Sequence, residues 1–128
     1  MDSNWKVSGE WSDDKHLLKI SLNVFLFTED NIHYAYIPAF DILGYGNNEN
    51  EAKKSVEISL SEFFKYTLSK KTFVIELKRL GWKIEKAKKN YRAPSISEQM
   101  NLNEQLRDII DNKQYRTSKF DVPISAFA

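Results

Sequence analysis

The chain contains no cysteine, four glycines, three prolines and two histidines in 128 residues. Without cysteine there are no disulfides, no thiolate nucleophile and no cysteine-ligated zinc or iron–sulfur site, and the absence fits a reducing compartment. His16 and His33 are too few for a histidine-rich metal site, and each reads as an exposed strand-end residue with no nucleophile pattern beside it. No run of about eighteen apolar residues occurs. The opening residues Met1-Asp2-Ser3-Asn4-Trp5-Lys6 also lack a basic stretch followed by an apolar one. We therefore expect a cytoplasmic protein that spans no membrane. What is present is material for a core: 41% hydrophobic residues, with three Trp and eight Phe, in a length that suits one domain.

The net charge of +1 conceals a strong segregation. Residues 1–64 sum to −6, residues 65–92 to +8 and residues 93–128 to −1. The cations Lys70, Lys71, Lys78, Arg79, Lys83, Lys86, Lys88, Lys89 and Arg92 form the middle block. Clustered cations gain from neutralising phosphate, so this block is a candidate patch for an anionic partner, DNA or RNA included. A solvated helix face and loop is the commoner meaning of such a run.

Residues 1–15 are polar apart from Trp5 and Trp11 and predict an N-terminal arm or a short edge strand. From Leu18, the residues Leu18, Ile20, Leu22, Val24 and Leu26 alternate with Lys19, Ser21, Asn23, Phe25 and Phe27, the period of a strand with one face on a core. Thr28 to Asn31 supply turn chemistry, and residues 32–37 return as a second strand. Pro38 ends that ladder by removing a donor. Residues 39–45 re-enter as a third strand, and Gly44 and Gly46 are expected to give the backbone freedom a tight strand-to-helix corner needs.

Asn48 is a natural N-cap, with Glu51 placed to reach back to its amide and Glu49 suited to the helix dipole. The helix predicted from Glu49 carries Ala52, Val56, Leu60, Phe63 and Thr67 as an apolar stripe, with Phe64 beside it and Ile58 and Tyr66 off it. Residues 72–80 predict a second helix, with Thr72 as its cap and Gly81 closing it. Trp82-Lys83-Ile84 then leaves in extended form. Residues 85–95 read as a linker or surface arm, residues 102–110 as a helix and residues 115–125 as an extended segment. The chain thus divides into an arm (1–15), an α+β core (16–84) and an extension (85–128) that packs on the core or on a partner.

Tyr34-Ala35-Tyr36-Ile37-Pro38, followed by Gly44, Gly46, Asn48, Glu51, Ala52 and a long helix, resembles the HicB-like antitoxin family. Its members show an extended segment ending in Pro, a Gly, a helix cap and then Glu-Ala. The similarity covers residues 18–68. It implies an α+β fold like a reduced RNase H sheet: three to four antiparallel strands packed on one long helix, here with an extra C-terminal helix and strand. It also implies a type II toxin–antitoxin role, in which the chain binds and blocks a small RNA-cleaving toxin of the HicA kind. Many relatives bind operator DNA through an appended domain. In this chain the last helix precedes the last strand, the reverse of a ribbon-helix-helix tail, and around Asp41 the glycine of the family pattern is replaced.

The carboxylates Asp41, Glu49 and Glu51 could be pictured as metal ligands on such a sheet, but the helix terminus already accounts for two of them and the first strand offers Asn23 instead. Gly44-Tyr45-Gly46 lacks the remainder of any phosphate-loop pattern. We expect no catalytic constellation, no cofactor and no metal. A sheet covered by helices on one side leaves an edge or face to protect, so a homo-oligomer is expected. The two functional expectations are an antitoxin-like interaction protein and a nucleic-acid-binding module that uses the basic block.

Overall fold

The computed structural model describes residues 5–6, 17–85 and 90–125, with side chains for 21–85, 90–119 and 121. Seven strands are present: β1 (Trp5–Lys6), β2 (Leu17–Glu29), β3 (Ile32–Ile37), β4 (Ile42–Gly46), β5 (Lys83–Glu85), β6 (Asn90–Arg92) and β7 (Tyr115–Ser125). The helices are α1 (Glu49–Ser69), α2 (Phe73–Arg79), α3 (Ile96–Leu102) and α4 (Glu104–Asn112). The main sheet runs β1-β7-β2-β3-β4, and β5 pairs with β6 in a small second sheet. The protein is α+β: four antiparallel strands packed against one long helix, joined by further helices and by the two-residue β1, which lies parallel to β7.

Turn chemistry places the strands. Asp30 and Asn31 both have positive φ (53° and 66°) between the paired residues Glu29 and Ile32, the signature of a two-residue type I′ hairpin. Pro38 to Asp41 join β3 to β4 through a four-residue turn in which the amides of Phe40 and Asp41 donate to Ile37 and Pro38. Asp41 closes this turn at φ 54°. A glycine would suit that angle best.

The core has two parts because both sheet faces are covered. Leu22, Val24, Leu26, Ala35 and Ile37 face α1, whose buried stripe is Ala52, Val56, Leu60, Phe64 and Thr67. The predicted stripe holds except that Phe64, not Phe63, is its fully buried ring. Ile58 and Tyr66 are exposed, as is Ile75 on α2. Phe40, Phe64, Phe73 and Trp82 extend this core, with the Phe40 and Trp82 rings stacked at 5.2 Å and the Trp82 Nε1–H donating to the Ala39 carbonyl at 2.8 Å. Each such ring pair adds roughly 0.5–1.5 kcal/mol beyond its buried area. On the other face Phe25, Phe27 and Tyr36 are sealed by Leu106 and Ile109 of α4. The expectation of a one-sided sheet is thereby corrected. Phe25 and Phe27 sat in the set of residues alternating with the core, and they mark a second buried face.

Three further expectations change. Residues 90–92 form a strand in place of part of a linker, because they pair with β5 and Tyr91 is buried with the core cluster. The helix expected over 102–110 is two helices. Ser95 and Glu98 form a capping box that starts α3, and Asn103 breaks the run and caps α4 through the Leu106 amide. Leu102 consequently lies at 85% exposure and not on the buried face. Glu51 reaches back to the Asn47 amide at 3.0 Å, one residue before the cap, while the Asn48 side chain accepts from the Glu51 amide at 2.8 Å.

Helix α1 ends on Lys71 at φ 58°, with the Lys71 and Thr72 amides closing onto Leu68 and Thr67. That left-handed position favours glycine, so Lys71→Gly is expected to stabilise the fold by about 0.5–1 kcal/mol in a denaturant titration. Helix α2 closes in the same way on Gly81 at φ 97°, as the sequence indicates.

Candidate functional site

Of the residues singled out in the sequence, Ala35, Gly44 and Ala52 meet at one seam. Ala35 of β3 pairs with Gly44 of β4, and Ala52 of α1 lies over them. A Cβ on Gly44 would stand 2.7 Å from the Val56 Cα and 2.8 Å from the Ala52 carbonyl oxygen, with the Val56 nitrogen closer still. Gly46 is as tightly placed, 2.9 Å from the Ala52 nitrogen. Neither glycine has a positive φ. The corner therefore needs glycine for the closeness of the helix backbone and not for backbone freedom, which corrects the sequence expectation. Pro38 is buried where β3 ends, and Tyr34 stacks on Phe27 at 5.0 Å. At the outer edge of β4 the Tyr45 amide donates to the Ser55 hydroxyl at 3.1 Å, so α1 occupies part of that free edge.

The carboxylates considered as metal ligands are separately engaged. Asp41 accepts from the Tyr36 hydroxyl, Glu49 pairs with Lys53 and Arg116, and Glu51 caps α1. Among the described residues no group of three or more His, Cys, Asp or Glu could hold a metal ion. His33 meets Thr28 at 3.3 Å on an exposed strand end. No helix among the described residues is long and apolar enough to cross a membrane.

The basic block is only partly assembled. Lys83 and Arg92 are direct cross-strand partners on the exposed side of the β5–β6 pair. Lys70 and Lys71 lie at the end of α1, and Lys78 and Arg79 lie on α2, where Arg79 is tied to Glu76 at 2.9 Å. All six side chains are exposed. Lys86, Lys88 and Lys89 lie outside the described residues. Like charges set opposite each other repel, so Lys83 and Arg92 favour an anion between or beside them. Glu98 is a compensating group for both. Its carboxyl is held below the usual range, first by the Ser95 amide and hydroxyl and then by Lys83 and Arg92.

No family model, curated protein or solved structure matches the chain.

Two concavities adjoin this side of the molecule. One, of about 320 Å³, opens beside residues 21–23 of β2 and is walled by Tyr91, Arg92, Pro94 and Gln99. The other, of about 680 Å³, lies between the end of α2 and the α3–α4 junction, with the exposed Leu102 on its wall beside Glu98 and Glu104. Sequence reasoning missed Tyr91 and Gln99, which it placed in a linker or left unassigned. Two signals pointed to them: an aromatic residue between the polar Asn90 and Arg92, and the Ser95-x-x-Glu98 spacing of a capping box.

Proposed function

We propose that the chain is a HicB-like antitoxin, or a stand-alone relative, that binds and neutralises a small RNA-cleaving toxin by protein–protein contact. The single observation that carries this reading is the seam at Ala35, Gly44 and Ala52. Three residues of the resemblance lie where the helix backbone comes close against the sheet, positions at which a fold of that kind needs small side chains. Function then belongs to the surfaces around that frame. Those surfaces carry exposed apolar residues, Leu102 and Ile75 among them, and a charged hairpin.

Co-expression with a small basic protein encoded beside it tests the reading. The expected result is a stable complex on gel filtration in which RNA cleavage by the partner is suppressed. No complex, together with no such neighbouring gene, overturns it. A homo-oligomer belongs to the same reading and is checked by light scattering on the purified chain. Since both sheet faces are covered, it would have to form through helix surfaces or strand edges.

A second reading is a nucleic-acid-binding module that uses residues 65–92, favoured by the paired Lys83 and Arg92. Its affinity for a single-stranded oligonucleotide should fall steeply with salt, and charge reversal at Lys86, Lys88 and Lys89 should abolish binding. Binding that is absent or indifferent to salt rules it out.

A further inference from the structure

Helix α1 places an isoleucine at the middle of the side turned away from the sheet. Ala52, Val56, Leu60, Phe64 and Thr67 form its buried stripe, and by the helical period Ile58 lies opposite them, 57% exposed. A single exposed isoleucine is ordinary on a protein surface. Its surroundings set this one apart. Ile58 shares a concavity of about 340 Å³ with Tyr45 of β4, itself 64% exposed, walled by Glu51, Lys54 and Ser55. Tyr66, also 64% exposed, lies two turns further along α1 on the flank of Ser55 and Ser59, the flank beside Tyr45.

The charges about Ile58 have an order. Lys54 stands one turn before it and Glu62 one turn after, while Glu51 and Lys65 stand two turns before and two turns after. All four side chains are exposed, and Lys54, Glu62 and Lys65 enter no ion pair among the described residues. Each cation is thus matched, at the same distance on the other side of Ile58, by an anion. Within one helix these matched residues are too far apart to pair, since about 12 Å of rise separates even Lys54 from Glu62. Between two helices the pattern is self-complementary. Set antiparallel across a two-fold axis at Ile58, two copies of α1 bring Lys54 against Glu62 and Glu51 against Lys65, each pair twice. A parallel arrangement would set every one of these charges against its like.

We propose that two copies of this chain associate through the outer face of α1, antiparallel about a two-fold axis at Ile58. The isoleucines meet at the axis, and Tyr45 of one copy comes to the end of the other that carries Tyr66. The ion pairs fix direction and register. A single helix face buries less than the roughly 800 Å² per partner of a standard interface, so the dimer is a weak one, with Kd about 10–100 µM. The proposal rests on the reading of the chain as one that self-associates, and it names the surface.

Sedimentation velocity on the full chain, from about 5 to 500 µM, tests it. A monomer is expected at the dilute end and a dimer at the concentrated end. Lys54→Glu and Glu62→Lys should each weaken the dimer about tenfold, because each reversal sets like charges together at two symmetric places. The double variant should return to within about threefold of wild type, since its pairs are restored with the signs exchanged. Ile58→Asp should stay monomeric throughout, whereas Ile75→Asp, at the exposed isoleucine of α2 outside this face, should dimerise as the wild type does. All these positions are exposed, so unchanged circular dichroism is expected in every variant. A wild-type chain that is monomeric at every concentration overturns the proposal, as does a double variant weaker than either single one. A chain that associates with all its reversal variants as tight as wild type keeps the homo-oligomer and loses this face. A monomer that still blocks an RNA-cleaving toxin loses this inference and keeps the antitoxin reading.

Discussion

Gly44→Ala is expected to destabilise the protein by about 3 kcal/mol or more, the upper range for forcing atoms into a packed interior. The added methyl would meet three backbone atoms: the Val56 nitrogen, the Val56 Cα at 2.7 Å and the Ala52 oxygen at 2.8 Å. A side chain can rotate away, but a helix backbone cannot. The helix must lift from β4 as a body, which opens the contact of Val56 and Leu60, both fully buried, with the sheet. Gly81→Ala provides the contrast. There the nearest atom to a new Cβ is Pro94 Cβ at 3.5 Å, and the penalty arises from φ 97° alone, about 1–2 kcal/mol. Urea titrations of the two variants should therefore separate crowding from backbone strain. Gly44→Ala melting no lower than Gly81→Ala would show that α1 does not sit as close to β4 as described.

The two glycines illustrate what the sequence disclosed and what it withheld. That residues 44–46 lay between a strand and a helix was legible from local signals alone: Pro38 stopping one strand, Asn48 capping the helix, and the stripe from Ala52 to Thr67. Why the glycines were needed was not legible, since the atoms they make room for belong to Glu51, Ala52 and Val56 of the following helix. The same limit explains the C-terminal third. Residues 90–92 are polar at two of three positions, and their pairing with β5, where Ile84 lies opposite Tyr91, together with the burial of Tyr91 in the core, makes a strand of them. The segment 102–110 had apolar residues at helical spacing, yet Asn103 caps a new helix there and leaves Leu102 in solvent. Phe25 and Phe27 are the exception. Two aromatic residues on the face opposite Val24 and Leu26 are a local signal of a second buried face, which reading β2 as a strand with one face on the core passed over.

Tyr36→Phe is expected to cost about 2 kcal/mol, the range for losing hydrogen bonds to a charged group at a buried site. The fully buried Tyr36 joins three parts of the chain. Its hydroxyl donates to the Asp41 carboxylate at 2.5 Å and accepts from the Asn103 side-chain amide at 2.8 Å. The β3–β4 turn is thus tied to the cap of α4, and that helix seals the second sheet face with Leu106 and Ile109. Without the hydroxyl both partners lose a bond, and the α3–α4 layer should open before the rest of the fold. Hydrogen exchange should speed at Leu106 and Ile109 more than at Val56 and Leu60 of α1.

An alkaline titration gives an independent check. Burial first, and then the hydrogen bond to Asp41, push the Tyr36 pKa up from its ordinary value of 10.0, with Asn103 pulling the other way. A raised folded-state pKa means that the folded protein holds the phenol proton more tightly than the unfolded chain. This contribution to stability is complete below pH 10 and declines as pH rises further, by up to about 1.4 kcal/mol per pH unit while the folded phenol remains protonated. Tyr36→Phe has no such proton to lose. Its stability should fall less steeply above pH 10 than that of the wild type, with a residual slope from Tyr91, whose pKa burial also raises. Equal slopes in the two proteins would remove Tyr36 as the coupling between the turn and the second helical layer.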